Sequence, residues 1–292
     1  MAGGRSSARR TPPATPAEAT PAPMRGWTLG SGSSGNALVL ESGPHRLLLD
    51  CGFGPRAVAT RLRTIGVEPE SIGGLLLTHE HEDHAVGAAR AQKKYRWPVI
   101  ATAGTLRAVG EVEARWRQPM TAGTVYPTDG FLIEAVEVPH DAAQPCAFVV
   151  TATATGARVG IAHDLGAVPD ALRSAFARCD ALCLEANHDA EMLRTGPYPP
   201  ALQARVSGGR GHLSNAGCSA LATELAHPGL RGVVLLHLSA VNNTPELAGR
   251  TVETALRRAG HRTRVRVAPR REVAVAFDLD GPRRAGQLAL GI

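Results

Sequence analysis

Seven consecutive residues, Thr78-His79-Glu80-His81-Glu82-Asp83-His84, constrain this chain more than any other stretch. They follow the apolar run Gly74-Leu75-Leu76-Leu77, which reads as a short buried strand that carries them to its C-terminal end. Neutral imidazoles and carboxylates are ligands for borderline divalent ions such as zinc, manganese or iron. Alternate residues at a strand end point the same way, which pairs His79 with His81. Asp83 and His84 lie past the turn and can face a second ion. The chain must therefore fold so that a strand end opens onto a metal site.

The sequence has 292 residues, of which 43% are hydrophobic and 20% charged, an ordinary balance for a soluble globular protein of one large or two small domains. No apolar run approaches the ~20 residues that cross a bilayer, so no membrane insertion is expected. The first 23 residues, rich in Pro, Ala, Ser and Thr, have no apolar periodicity and no signal-peptide core. They are expected to form a disordered tail, with residues 24–292 as the folded domain and Met24 as an alternative start. Cys51, Cys146, Cys179, Cys183 and Cys218 form no CxxC pair, which fits reduced thiols and a cytoplasmic location. Cys51, beside Asp50, reads as a buried small hydrophobe. The net charge of +6 is only weakly permissive of a polyanionic partner.

Short strands alternate with helices from Trp27 onward. Strands are expected at 36–41, 46–50, 74–77, 131–138, 147–154, 158–162, 181–185, 231–236, 265–267 and 273–277. Helices are expected at 55–65, 85–96, 170–178, 214–226 and 245–259, with Pro55 in a favoured first-turn position and Ser214 or Asn215 as a cap. Strands come first, then strands and helices alternate. That order suits two sheets packed on each other with helices outside.

One loop cannot complete two metal spheres. Further ligand types stand after later strands: His140 after 131–138, Asp164 after 158–162, and His237 after 231–236. This series, HxHxDH followed by His, Asp and His, resembles metallo-β-lactamase-fold hydrolases over residues 26–278. Longer motifs narrow the resemblance to the WalJ/YycJ branch: Leu29-Gly30-Ser31-Gly32-Ser33-Ser34-Gly35-Asn36, Leu184-Glu185-Ala186-Asn187-His188-Asp189, Gly211-His212-Leu213-Ser214-Asn215, and the segment from His237 to Leu247.

The resemblance implies an α/β fold, an αββα sandwich of two mixed β-sheets flanked by helices. It implies no β-CASP insertion, since only 72 residues separate Asp164 from His237. It also implies a two-metal phosphodiesterase of zinc or manganese acting on nucleic acid, DNA in preference to RNA, as a 5′-to-3′ exonuclease that attacks with a metal-bridging hydroxide. Carried over by position, His79, His81 and His140 hold one ion, while Asp83, His84 and His237 hold the other. Asp164 bridges them, Asp50 supports the loop from behind, and Asp83 is also counted with the catalytic groups. His163 departs from the branch, which carries Thr or a similar residue there. Glu185 and His212 resemble the glutamate–histidine pair of ribonuclease Z-type relatives, with His212 donating a proton to the leaving alkoxide.

Ser33, Ser34 and Asn36, with Ser239, Asn242 and Asn243, could hold phosphate oxygens or serve only as turn and cap groups. Arg205 and Arg210 flank a glycine-rich stretch that could grip a nucleic-acid backbone. The arginine run from Arg257 to Arg271 reads as a solvated face. Two alternatives remain open. One is a small-molecule phosphodiesterase, RNA-processing nuclease or thioester hydrolase of the same fold. The other is a metal-binding regulator without catalysis.

Overall fold

The computed structural model describes residues 22–279. The expected tail at 1–23 lies almost wholly outside the described residues, as does the end of the expected domain.

Two seven-stranded sheets form the centre. The first contains β1 (Met24–Gly30), β2 (Ala37–Ser42), β3 (His45–Leu49), β4 (Gly74–Leu76), β5 (Val99–Thr102) and β6 (Arg117–Met120). The second contains β7 (Val125–Thr128), β8 (Phe131–Glu137), β9 (Cys146–Ala152), β10 (Arg158–Ala162), β11 (Ala181–Glu185), β12 (Gly232–Leu236) and β13 (Arg264–Val267). The last strand, β14 (Ala274–Leu279), crosses back to pair antiparallel with β1. Both sheets are mixed: β3 to β6 and β10 to β13 run parallel, and the remaining pairs are antiparallel.

The side-chain period of two sorts residues between layers. Leu38, Leu40, Leu47 and Leu49 from the first sheet meet Phe131, Ile133, Phe148, Val150 and Ile161 from the second in one buried layer. Their neighbours Val39, Leu48 and Leu75 face outward onto α1 (Pro55–Thr64), where Val58 and Leu62 pack on them. The short α2 (Glu82–Ala85), α3 (Ala88–Tyr95) and α4 (Ala103–Ala108) complete that side.

On the other side Leu182, Leu184, Val233 and Leu235 are covered by α5 (Asp170–Phe176) and, beyond α6 (Ala190–Thr195) and α7 (Pro200–Ser207), by α8 (Asn215–Glu224) and α9 (Pro245–Arg258). In α9 the buried positions Ala248, Val252 and Leu256 recur every four residues and form one stripe. Truncating fully buried Leu256 to Ala would cost about 2–5 kcal/mol. Strands covered on both faces read as unbroken apolar runs, as residues 181–184 do. The architecture is the expected αββα sandwich.

Three local expectations are corrected. The helix expected at 85–96 is two helices, α2 and α3, broken at Val86-Gly87. There the Gly87 amide donates to the Cys51 carbonyl, and a Cβ would lie 1.8 Å from the Phe53 carbonyl oxygen. The first strand begins at Met24, because its partner β14 comes from the far end of the chain. Residues 97–128 contain β5, α4, β6 and β7, where no element was expected; β6 and β7 are sheet edges that carry Pro119 and Pro127.

Candidate metal centre

The C-terminal ends of β3, β4, β10, β11 and β12 converge at one end of the sandwich. They deliver Asp50, the Thr78–His84 loop, Asp164, Glu185 and His237, and the turn after β8 adds His140. Asp50, Asp164 and His237 have φ of 60°, 42° and 54°. Non-glycine residues in this left-handed region cost roughly 1–3 kcal/mol each and persist where their surroundings hold them. The Asp50 amide donates to the Leu76 carbonyl at 2.8 Å, and the His237 amide to Ser31 Oγ at 2.8 Å.

Each histidine of the loop and its partners has one ring nitrogen tied to an acceptor and the other turned inward. Thr78 Oγ1 donates to Asp50 and lies 3.0 Å from His79 Nδ1, from which it can accept. His84 Nδ1 is 2.7 Å from Asp50 Oδ2. His140 Nδ1 faces the Gly211 carbonyl at 3.0 Å, and His81 Nε2 the Asp141 carbonyl at 3.3 Å. His237 Nδ1 contacts Asp164 Oδ1 and Glu185 Oε1. Such outer partners fix the tautomer and leave a lone pair aimed at the centre: Nδ1 of His81 and Nε2 of the others.

Those inward atoms form two groups that share Asp164. In the first, His79 Nε2 and His140 Nε2 stand 3.4 and 3.5 Å from Asp164 Oδ2, and His140 Nε2 is 3.3 Å from His81 Nδ1. In the second, His84 Nε2 is 3.4 Å from Asp164 Oδ2 and 3.5 Å from Asp83 Oδ2, which is 3.3 Å from His237 Nε2. Ligands ~2.0–2.2 Å from a tetrahedral ion sit roughly 3.3–3.6 Å from one another. Donors at that spacing fit a small divalent cation. Buried His79 Nε2 and His237 Nε2 have no hydrogen-bond partner of their own, as expected of atoms meant for an ion.

The charge balance agrees. Burial alone would raise the carboxyl pKa of Asp164, but His237 and His84 hold it well below the usual range. Asp83 is likewise held at about 2 by His237 and His84 against the effect of burial. Burial disfavours a proton on His84, yet Asp164 and Asp50 outweigh it and push its pKa up to about 10; His237 is raised in the same way by Asp164. His79 is pushed down to about 4 by burial and by His84. Without cations, the centre must recruit protons to compensate its carboxylates.

Beside the donors lies the second pair. Fully buried Glu185 accepts from the Leu165 and Leu213 amides through Oε2, at 2.6 and 3.0 Å, while Oε1 meets His212 Nδ1 at 2.7 Å. The His212 pKa is lowered by burial but raised overall by Glu185. Glu185 is held at about 2, with His212 outweighing burial. His212 borders a cavity of about 340 Å³ with His81, Asp83, Asp164, His237 and Ser33. Helix α7 overhangs it through Leu202, Arg205 and Val206. Arg205 pairs with Asp141 at 2.6 Å, at the cavity rim.

The weaker substrate-binding expectations need correction. Asn36 is fully buried; its amide nitrogen lies 3.2 Å from Asp83 Oδ2 and 3.0 Å from His84 Nε2, while its oxygen accepts from the Gly32 amide. It contacts the inward donor atoms of Asp83 and His84 and so helps to position them. Ser239 Oγ accepts from the Val241 and Asn242 amides, and Asn243 ties Asn215 to the Ala186 and Asn187 carbonyls. Asn242 is buried. Asn36, Ser239 and Asn243 tie loops together, and none of the four lines the cavity. Exposed Arg210 donates to the His140 carbonyl, and the arginine at the cavity is Arg205.

Ser33 and Ser34 are exposed, and Ser33 lines the cavity. His163 is buried and bonds Asp50 Oδ2 at 3.0 Å, so its imidazole joins the support of the loop. All five cysteines are free and buried, and burial pushes the Cys51 thiol up to about 12. Asp189 caps α6, and Asn187 bonds the His237 carbonyl. Among the described residues, no helix is long and apolar enough to cross a membrane.

Comparison with known proteins agrees with this geometry. Residues 45–238 match the family model described as a beta-lactamase superfamily domain. The chain is 30% identical over 236 residues to exodeoxyribonuclease YycJ of Bacillus anthracis, covering 80% of this chain and 89% of the relative. It is 32% identical over 238 residues to exodeoxyribonuclease WalJ of Streptococcus pneumoniae, covering 79% and 87%. The metallo-β-lactamase fold protein YhfI of Bacillus subtilis superposes with a TM-score of 0.68 at 17% identity, over 87% of this chain and 99% of that one, a likeness of fold. With a converging donor set on an αββα sandwich and these matches over most of its length, the chain belongs to the β-lactamase superfamily, in its WalJ/YycJ branch, and is a hydrolase of that fold.

Proposed function

We propose that residues 24–292 form one hydrolase domain that cleaves phosphodiester bonds of nucleic acid with two divalent ions, zinc or manganese, and acts as a 5′-to-3′ DNA exonuclease. The observation that carries the chemistry is the pair of donor groups sharing Asp164, with His212, held by buried Glu185, on the same cavity wall. The names of the two exodeoxyribonuclease relatives support a DNA substrate and the exonuclease mode.

His79, His81 and His140 would hold one ion, and Asp83, His84 and His237 the other, with Asp164 reaching both. Such ions supply an activated water at neutral pH and offset the charge of a phosphodiester. The protein's own groups do the rest. Asp83, with a pKa of about 2, stays ionised and serves as a ligand and acceptor, not as a proton carrier. His212, raised by Glu185, keeps its proton to higher pH than an ordinary histidine and presents Nε2 as the donor to the departing sugar oxygen. Glu185 orients that ring and stabilises its charge. Helix α7 limits access of water from one side.

The test is an assay of purified protein with Mn²⁺, Zn²⁺ or Mg²⁺ on end-labelled single- and double-stranded DNA and RNA, beside bis(p-nitrophenyl) phosphate. Stepwise shortening of DNA from the 5′ end is expected. Hydrolysis of the small ester alone would defeat the nuclease reading, and no turnover at full metal occupancy would defeat the enzyme reading.

A further inference from the structure

A second groove, of about 600 Å³, opens on the far side of the glycine-rich loop from the metal centre. Ser33 lines both cavities, so the two share a wall one loop wide. His237 borders the first and the next residue, Leu238, borders the second. The loop is fixed in place: Ser31 Oγ accepts from the His237 amide, and the Ser31 amide donates to the Arg270 carbonyl. Gly32 has a φ of 147°, a backbone conformation that side-chain-bearing residues rarely adopt.

The chemistry of the second groove differs from that of the first. Its floor is apolar, from Leu238, Ala240 and Pro269, and Arg270 and Arg271 stand at its side. Among the described residues neither guanidinium makes an ion pair, and Arg270 Nε is buried without a hydrogen-bond partner. Pro245, the first residue of the 14-residue helix α9, adds the positive end of that helix; Glu272 is the single carboxylate on the lining. Elsewhere in the same arginine run the groups are engaged: Arg257 pairs with Glu253, and Arg266 donates to the Ala276 carbonyl. Arg271 is exposed, as expected of a solvated face, whereas Arg270 is half-buried with its Nε enclosed.

We propose that this groove is the binding site for the nucleotides next to the scissile phosphate, so that a single-stranded polynucleotide passes over Ser33 from one cavity to the other. Arg270 and Arg271 hold its phosphates, and the Leu238–Pro269 floor receives a base face. A positively charged groove that follows the backbone is what a single strand requires, and both cavities fall within the ~300–1,000 Å³ of small-ligand clefts. The inference rests on the phosphodiesterase reading of the metal centre and extends it from a bond to a chain.

The experiment compares kcat/KM of the metal-loaded full chain on oligothymidylates and oligouridylates of two to eight nucleotides with that on bis(p-nitrophenyl) phosphate. Wild-type kcat/KM should rise with oligonucleotide length up to the span of the second groove and then level off. In Arg271→Glu and in Arg270→Lys/Arg271→Ala, the oligonucleotide-to-small-ester ratio should fall at least tenfold, through KM. The salt dependence of oligonucleotide KM should flatten by about 0.7 in log–log slope for each phosphate no longer neutralised. Arg271 is exposed, so its variants keep the fold.

Oligothymidylate and oligouridylate responding alike would place recognition in backbone and base face; a response of one alone would assign the groove to that polymer. An unchanged ratio and slope, with oligonucleotides still cleaved, would overturn the groove and leave the nuclease reading standing. Loss of the nuclease reading shows separately, as wild-type protein that cleaves the small ester and no oligonucleotide. Anisotropy with a labelled phosphorothioate oligothymidylate must then also show no Arg271-dependent binding for the groove to fall with it.

Discussion

Replacing Glu185 with Gln tests the proton-donor reading most directly. Both backbone amides that bond Glu185 go to the same oxygen, Oε2, so a glutamine carbonyl can accept both and keep the side chain in place. The new NH₂ then faces His212 Nδ1, previously 2.7 Å from a carboxylate. His212 can switch tautomer and carry its proton on Nε2, but it loses the negative charge that favoured the imidazolium. A hydrogen bond to a charged partner is worth about 1–1.5 kcal/mol more than a neutral one, which is roughly one pKa unit.

Glu185 lifts the His212 pKa, so its removal lowers it, and a general acid works only while protonated. The alkaline limb of the kcat profile should therefore move about one unit toward lower pH. The loss of kcat should be about 10–100-fold at pH 8 and smaller at pH 6. Stability should fall by about 1–3 kcal/mol near neutrality, because the NH₂ also meets the donor side of His237. Glu185, held at about 2, stabilises the fold above its unfolded value of 4.5 and loses that effect as pH falls toward 2. The deficit of the variant should shrink in acid. The assay is a pH–rate profile on a labelled oligonucleotide, with metal content measured in parallel. A limb that stays in place, or an equal loss of kcat at every pH with full metal, would refute the role of His212 as the donor.

Metal binding should release about two protons per chain at pH 7, since His84, pushed up to about 10, and His237, also raised, both carry protons in the metal-free centre. Calorimetry in buffers of different ionisation enthalpy measures this, and a buffer-independent heat would contradict it. By the same linkage His84 stabilises the metal-free protein fully below pH 6.5 and less as pH rises toward 10, a trend that melting curves in a chelator would check. Gly52→Ala should cost about 1–3 kcal/mol and weaken metal binding, because its Cβ would lie 1.9 Å from the Asp83 carbonyl; a wild-type melting temperature and metal affinity would show that the loop can yield. Asp50→Asn should lower metal affinity about 10–100-fold, as read by titration with a competing chelator, with no change expected if His84 were oriented some other way.

The convergence of the donor residues was legible in the sequence because each follows an apolar strand, and a strand end fixes where the next side chain goes. His140, Asp164 and His237 needed no long-range information beyond that. The role of Asn36 could not be read this way. It depends on Asp83, 47 residues distant, and a buried asparagine and a phosphate-binding one look alike in a glycine-rich loop. Arg205 was hidden for another reason. Helix α7 has no buried residue, hence no apolar period, and without a helix there was no way to see which of Arg205 and Arg210 faced the cavity. The strands β6 and β7 were obscured by their prolines, which only edge positions tolerate. The break between α2 and α3 arises from a contact of Gly87 with Phe53, invisible to any local pattern.

What the sandwich contributes to the chemistry is tolerance of a costly centre. Asp50, Asp164 and His237 sit in left-handed backbone conformations, and Asp50, Asp164 and Glu185 are buried carboxylates within reach of the same histidines. None of these features stabilises a fold unaided. They survive because the strands they terminate are locked on both faces, by the Leu40–Phe148 layer between the sheets and by the helices outside. Rigid strand ends fix the donors at ion spacing before any ion arrives, so binding spends little on ordering the protein. The surplus negative charge then favours cations over protons as pH rises. The loops after the strands bear little of the packing, and they are free to differ in what they bind. Ser33 and Arg271 stand on such segments, and Arg205 on a helix without buried residues, where a shared metal centre can acquire a substrate of its own.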